Sequence, residues 1–332
     1  MSRPDADSCG HNTAYFCISL NPAIDTRLVL DGFQMGRVNR ASEVQRTPGG
    51  KAAHVAMALQ GLGASPKWIG FSGGTTGNEL LAGLRSLQIE AVPVPTVQTT
   101  RVNLEIVDAR AGVTEILEPG GTIQQTEWRE FQRICTNEFR RMAAKKIALI
   151  SGSQPPGVPA EACSALLELA HLSGCLVFLD TSGPPLAKAL AASPDLVKVN
   201  REEATNVTGI TVEDPASAAQ AARKLLEQGA KSAAISLGDR GIVGIERRDE
   251  PAIHAWTTPV RTRSTVGCGD SALAGFTLAT AKGLYFERSL ALAVACGAAN
   301  CLAELPARIA RENVSRFEPT VCIERVLEKE SV

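Results

Sequence analysis

The chain has 332 residues, 44% of them hydrophobic, with Lys+Arg 34 against Asp+Glu 35. That length can bury a large α/β core, and a net charge of −1 supplies no global field to gather nucleic acid or an anionic membrane. No uninterrupted apolar run is long enough to span a bilayer, and the polar start "MSRPDADSCGHNT" lacks the apolar heart of a signal peptide.

Nine cysteines are scattered without a C-x-x-C pair, and several sit inside apolar runs such as "AYFCISL" and "AVACGAAN". They read as buried thiols of a reducing compartment, so a cytoplasmic setting is expected.

In chain order, residues 1–12 read as a disordered tail before one domain over residues 13–332. "AYFCISL" is a short apolar strand running into "NPAID". "DTRLVLDGF" and "NRASEVQRT" alternate apolar and polar residues, as strands with one wet face do. "GGKAAHVAMALQGLG" has helical spacing and stops at Gly63. "PKWIGFSGG" reads as a strand and "GNELLAGLRSLQ" as a helix. A second alternating pair, "RVNLEIVDA" and "VTEILEPGG", is joined by "RAG" as a hairpin would be. Beyond about residue 125 strands ("KIALISGS", "LVFLDTSG", "LVKVN", "SAAISLGDRG") alternate with helices, among them "WREFQRICTNEFRRMAA" and residues 216–228. That rhythm predicts a mostly parallel sheet with helices on both faces. The amphipathic strand pairs, at about 26–47 and 99–120, predict a small β-sheet lid over the sheet's carboxyl edge, where open α/β folds bind ligands.

Residues 264–276, "STVGCGDSALAGF", carry the clearest chemistry. Gly267 and Gly269 strip side chains from a helix entrance, where unpaired N–H groups and about half a positive charge attract anions. A carboxylate there repels phosphate unless it has another task, and accepting a proton from an attacking hydroxyl is the natural one for Asp270. A helix-capping role for Asp270 is the plain alternative. Residues 267–272 also match G-x-G-x-x-G/A, but "VRTRST" before them is too polar for a buried parallel strand. No Walker-type phosphate loop occurs.

"STVGCGDSALAGF" resembles the C-terminal signature of the ribokinase/PfkB family of sugar kinases, and "PGGKAAHVAMAL" its N-terminal Gly-Gly signature. "LNPAID", "SGSQPPGVP", "LDTSG", "VKVNREEA" and "ISLGDRG" resemble, in order, the branch that phosphorylates sugar phosphates, which includes 1-phosphofructokinase, PfkB-type 6-phosphofructokinase and tagatose-6-phosphate kinase. The resemblance implies a ribokinase-like α/β kinase using ATP and Mg2+ to phosphorylate a phosphorylated ketose, with two subunits pairing through their lids. It implies Asp270 as base and Gly267, Cys268 and Gly269 as anion hole. Glu203, with Asn200, would hold magnesium through water. Ser236, Gly238 and Gly241 would lie along the nucleotide, with Asn300 in the adenine pocket. On the acceptor side it implies Asp25, Gly49, Gly50, Lys51 and Ser153, with Arg101, Arg37 and Arg40 near the acceptor's own phosphate. Guanidinium suits that bidentate task.

The chain departs from the branch at Ala52 and His54, where glycine and asparagine are usual. An imidazole offers one donor and one acceptor, or two donors and a charge. These changes leave the transfer machinery intact and put the acceptor's identity in question. A kinase of an unphosphorylated sugar or nucleoside, and a non-catalytic sensor that kept the fold, are the competing readings.

Overall fold

The apolar runs expected as strands form the middle of a ten-stranded sheet in a computed structural model that describes residues 13–108, 112–260, 262 and 264–327. The tail at 1–12 and the first two residues of "RAG" lie outside the described residues.

In chain order the first half runs β1 (Thr13–Ser19), β2 (Ala23–Leu30), β3 (Glu43–Gly49), α1 (Lys51–Gly61), β4 (Pro66–Ser72), α2 (Gly74–Ser86), β5 (Glu90–Pro95), β6 (Arg101–Asp108), β7 (Gly112–Leu117), α3 (Gln125–Phe139) and β8 (Lys145–Ser151). The second half runs α4 (Ala162–Leu172), β9 (Leu176–Asp180), α5 (Gly183–Leu190), β10 (Leu196–Asn200), α6 (Arg201–Thr208), α7 (Pro215–Glu227), β11 (Ala233–Ser236), β12 (Ile242–Ile245), β13 (Ile253–Trp256), α8 (Cys268–Ala281), α9 (Phe286–Cys301), α10 (Arg311–Phe317) and β14 (Cys322–Arg325). The described residues of "VRTRST" form no strand.

The large sheet has the order β14-β13-β12-β11-β10-β9-β8-β1-β4-β5. Pairing is parallel from β11 across to β5 and antiparallel from β11 out to β14. Its middle is buried on both faces, as a parallel sheet with helices on each side must be. Successive residues alternate between two cores. Phe16 and Ile18 of β1 and Ala148 and Ile150 of β8 join one, while Tyr15, Cys17, Ile147 and Leu149 join the other.

The second sheet has the order β3-β2-β6-β7. It is the expected lid, with β2 beside β6 in parallel and each carrying an antiparallel partner. The edge strand β5 and the run β12–β14 at the sheet's other end go beyond the strands expected from the sequence. β5 carries Pro93 and Pro95, which an edge tolerates. The four-residue β14 is exposed along its length, so neither shows the apolar run that marks a central strand.

Behind the glycine turn, α8 packs on α9 at Gly275. A Cβ there would stand 2.8 Å from the Cα of Ala293 and from the carbonyl oxygen of Leu292. Main chain cannot yield as a side-chain tip can, so Gly275→Val should cost about 1–3 kcal/mol by overpacking. Urea denaturation reads this as a lower midpoint, and an unchanged midpoint would mean that the two helices part freely.

Candidate active site

Five neighbouring parallel strands, β1 and β8–β11, point their carboxyl ends at one cleft of about 500 Å³. Asn21 follows β1, Gly152 and Ser153 follow β8, Ser182 follows β9, Asn200 ends β10 and Ser236 ends β11. The lid covers it with a polar face. Asp25 stands opposite Asn103, and Arg27 opposite Glu105. Period-two alternation puts these residues on one side of the lid sheet. Arg27 holds both Glu105 oxygens at 2.9 Å, and the Ser264 hydroxyl donates to Oε1 of Glu105 at 2.9 Å, tying lid to body.

Two helices begin at this cleft, and no side chain caps either one. α1 follows Gly49 and Gly50, and α8 follows Gly267. Their first-turn N–H groups lack intrahelical acceptors and carry the positive ends of two helix dipoles. Gly267 sits at φ 83°, which disfavours any side chain. Gly49 is required by space, since a Cβ would lie 2.2 Å from the Asp25 carboxylate. A Cβ on Gly269 would meet Nζ of Lys198 at 2.7 Å, so this lysine stands directly behind the turn.

Asn300 braces the same turn. Its Nδ2 donates to the Val266 carbonyl at 2.9 Å, and its Oδ1 accepts from the Ala307 N–H at 2.7 Å. Asn300, expected at an adenine pocket, is 2% exposed and is not among the residues lining the neighbouring cavity; its amide also meets Ser271 Oγ and Cys268 Sγ.

His54, one turn into α1, connects the two carboxylates. Nδ1 is 2.9 Å from Oδ2 of Asp270, and Nε2 is 2.9 Å from Oδ2 of Asp25. The first contact is an aligned hydrogen bond; the second is close but bent, leaving Nε2 without an aligned acceptor. Burial alone would discharge this imidazole, but the two carboxylates outweigh it and push its pKa up to about 10. Burial likewise opposes the charge on Asp25, yet His54, Asn103 (Nδ2 to Oδ1, 2.9 Å) and the Gly50 N–H hold it below the ordinary carboxylate range.

Under the anion turn lies a second charged chain. Asp180, fully buried at the end of β9, accepts from Lys51 Nζ at 2.6 Å and from Lys198 Nζ at 2.7 Å. Burial would raise its pKa, but the two ammonium groups hold it below the ordinary range. Lys51 also reaches Oε1 of Glu203 at 3.1 Å, and Oε2 of Glu203 accepts from the Asn200 N–H at 2.9 Å. Lys51 thus lines the cleft with its ammonium already paired. Among the described residues no cluster of three His, Cys, Asp or Glu could hold a metal. The donors suit an ion that arrives with phosphate oxygens and keeps its waters, with Glu203 beyond them.

Arg101 enters the cleft with its described hydrogen bonds going to main-chain carbonyls, Glu118 at 2.6 Å and Asn21 at 3.1 Å, while Nε is buried without a partner. Ser153 lies beside it, its hydroxyl accepting from Asn21 Nδ2 at 3.0 Å. Arg37 and Arg40 are exposed, in the segment between β2 and β3, and line no part of this chain's cleft.

Against the cleft stands a more apolar cavity of about 430 Å³, walled by Ile242, Val260, Ala272, Val294 and Ala298 and edged by Gly238 and Gly241. The two cavities share Ser236, Thr265 and Gly269. Sequence reasoning assigned no role to Asn21, Asn103, Asp180 or Lys198. Lys198 and Asp180 did leave a signal, being charges inside the apolar strands "LVKVN" and "LVFLD".

The raised pKa of His54 fixes the sign of a pH effect. Its folded value of about 10 exceeds the ordinary 6.5, so its contribution to stability is full below pH 6.5 and is lost as pH rises toward 10. Denaturation from pH 6.5 to 10 should therefore show a steeper decline in this protein than in His54→Asn. Equal slopes would show that the imidazole is neutral.

Comparison with known proteins agrees with this geometry. The pfkB family carbohydrate kinase profile matches residues 17–310. The chain is 31% identical over 293 residues to the ATP-dependent 6-phosphofructokinase isozyme 2 of Escherichia coli, covering 86% of this chain and 92% of that one. It is 34% identical over 267 residues to a 1-phosphofructokinase of Xanthomonas campestris, covering 79% and 82%. The crystal structure of phosphofructokinase-2 from Escherichia coli in complex with fructose-6-phosphate superposes with a TM-score of 0.83 at 28% identity, over 93% of this chain and 98% of that one. A parallel sheet, a four-stranded lid and a glycine turn with its aspartate thus converge with the sequence match: the chain belongs to the pfkB family of carbohydrate kinases.

Proposed function

We propose that this kinase transfers the γ-phosphoryl group of ATP to a hydroxyl of a phosphorylated ketose, with fructose 1-phosphate, fructose 6-phosphate and tagatose 6-phosphate as the candidate acceptors. One observation carries the reading. Two cavities of different polarity meet at the α8 N-terminus, and Asp270 stands on the acceptor side of the junction. The apolar cavity suits an adenine and ribose along Gly238 and Gly241. The phosphates then run past Ser236 to Gly269, and the sugar lies under the lid.

In this reading Asp270 is the general base. It takes the proton of the attacking hydroxyl as the bond to the γ-phosphorus forms and the bond to ADP breaks. The N–H groups of the turn from Gly267 through Cys268 to Gly269 stabilise the charge on the transferring group, and Lys198 behind them adds to that potential. His54 fixes Asp270 and Asp25 relative to each other and helps keep Asp25 ionised, while Asp25 accepts from the acceptor's hydroxyls. Gly49 and Gly50 let the sugar reach the α1 N-terminus. Arg101, with Ser153 and Asn21, holds the acceptor's own phosphate. Its guanidinium suits the task because its own hydrogen bonds go to neutral carbonyls. Magnesium, held through water by Glu203 beside Asn200, would offset phosphate charge. Lid closure excludes water, which suppresses hydrolysis of ATP.

Exposed Met35, Val38 and Val44 on the lid (91%, 81% and 57%) support a homodimer paired lid to lid, readable as twice the chain mass by sedimentation. The free thiols of the described cysteines support a reducing, cytoplasmic setting. No helix among the described residues is long and apolar enough to cross a membrane.

Asp270→Asn should lower kcat by about 10²–10⁴-fold while calorimetry shows MgATP binding largely kept; retained turnover would remove the base assignment. Arg101→Ala should raise KM for the phosphosugar about 10- to 100-fold, the scale of a lost charged hydrogen bond. An unchanged KM would mean that the acceptor's phosphate lies elsewhere, and turnover of free sugars alone would replace the acceptor class.

A further inference from the structure

The residue between the two glycines of the anion turn is a cysteine, and nothing in phosphoryl transfer requires one there. Its sulfur is 3.6 Å from the sulfur of Cys301, which ends α9. Both residues line the apolar cavity beside the turn. Both are partly exposed, whereas Cys17, Cys135, Cys163, Cys175 and Cys296 are buried. A disulfide needs its sulfurs about 2.05 Å apart, so the pair must close by only about 1.5 Å.

The surroundings bias the two thiols differently. Cys301 and then burial raise the Cys268 thiol. The Cys268 thiol lowers that of Cys301, against burial, with help from Thr262. The thiol lowered at Cys301 is the one suited to attack, and the thiol raised at Cys268 the one suited to resolve.

We propose that Cys268 and Cys301 form an oxidative modification site at which a peroxide makes a disulfide, and that this bond disables nucleotide binding at the α8 turn. The Cys301 thiolate attacks one peroxide oxygen, the O–O bond breaks, and Cys301 becomes a sulfenic acid as hydroxide leaves. The Cys268 sulfur then attacks the Cys301 sulfur, and water leaves with the Cys268 proton. Two thiols and one peroxide give one disulfide and two waters, so the thiols lose the two electrons that the peroxide gains.

The bond acts on the turn because one side chain, Asn300, holds both Cys268 and the residue just before the turn. Asn300 Nδ2 donates to Sγ of Cys268 at 3.2 Å and to the Val266 carbonyl at 2.9 Å. Drawing Sγ toward α9 therefore pulls on the brace that aims the turn's N–H groups. The bridge would also cross the wall of the apolar cavity. Linkage runs both ways: if the disulfide weakens nucleotide binding, bound nucleotide must oppose the disulfide. The effect on turnover rests on the kinase reading above, whereas bond formation does not.

The test treats the full reduced chain with hydrogen peroxide and then alkylates, digests without reductant and maps the peptides. Calorimetry with MgATP and turnover assays run in parallel. The expected result is a Cys268–Cys301 linked peptide, MgATP binding at least about 10-fold weaker, and turnover down about 10²-fold, as for a lost anion-hole donor. Dithiothreitol should reverse all three, and saturating MgADP should slow formation of the linked peptide. Cys301→Ser, or Cys301→Ala if the serine form does not fold, is compared with its own reduced state and should lose these responses. Only sulfinic acid at Cys301, a link through the exposed Cys322 instead, or a linked peptide with unchanged MgATP binding would overturn the proposal. If the reduced protein phosphorylates no acceptor, the kinase reading fails alone, because mapping and calorimetry still decide this one.

Discussion

Two helix entrances without capping side chains open on one cleft, and most of the site exists to keep them open. An uncapped helix start leaves N–H groups that must find an acceptor. Here glycines hold back the side chains that would fill the space. Asn300 and Ala307 fix the α8 turn from behind, and Gly275 lets α9 close on α8 so that the brace reaches it. The unsatisfied donors are then aimed at the place where an anion belongs, and a geometry that costs stability as an isolated helix end becomes the binding surface.

Charge in the site is balanced by neighbours rather than by solvent. Asp180 is fully buried and tolerable only between Lys51 and Lys198, and Lys198 brings its positive end to the back of the turn. On the lid side the same logic places His54 between Asp25 and Asp270. The imidazole there joins the two carboxylates, with 2.9 Å to each. Burial opposes a charge on His54 while the two carboxylates favour it, and the carboxylates prevail. The lid is thereby coupled to the body through Asp25 and His54 as well as through Arg27, Glu105 and Ser264.

The cysteine pair shows how a residue can be compatible with a turn and still change its chemistry. At Cys268 the helix start presents its main-chain N–H groups, so the side chain is free to vary. What makes this cysteine consequential is the partner that α9 brings within 3.6 Å, a juxtaposition across 33 residues of sequence.

The sequence by itself determined the class of fold and the centre of the site. Apolar strands alternating with helices require a parallel sheet covered on both faces, and a carboxylate after G-x-G marks a helix start stripped of side chains. These are local patterns, set by side-chain periodicity and backbone freedom, and they are legible in a single stretch. Strands β12–β14 escaped because runs of four residues are too short to display a period. Only the tertiary structure decided which groups meet: that His54 lies between Asp25 and Asp270, that Lys51 is paired with Asp180, that Asn300 bonds Val266 and Ala307, and that Cys268 faces Cys301. Each of these joins elements distant in sequence, and a buried group's protonation and role depend on the partners that packing supplies.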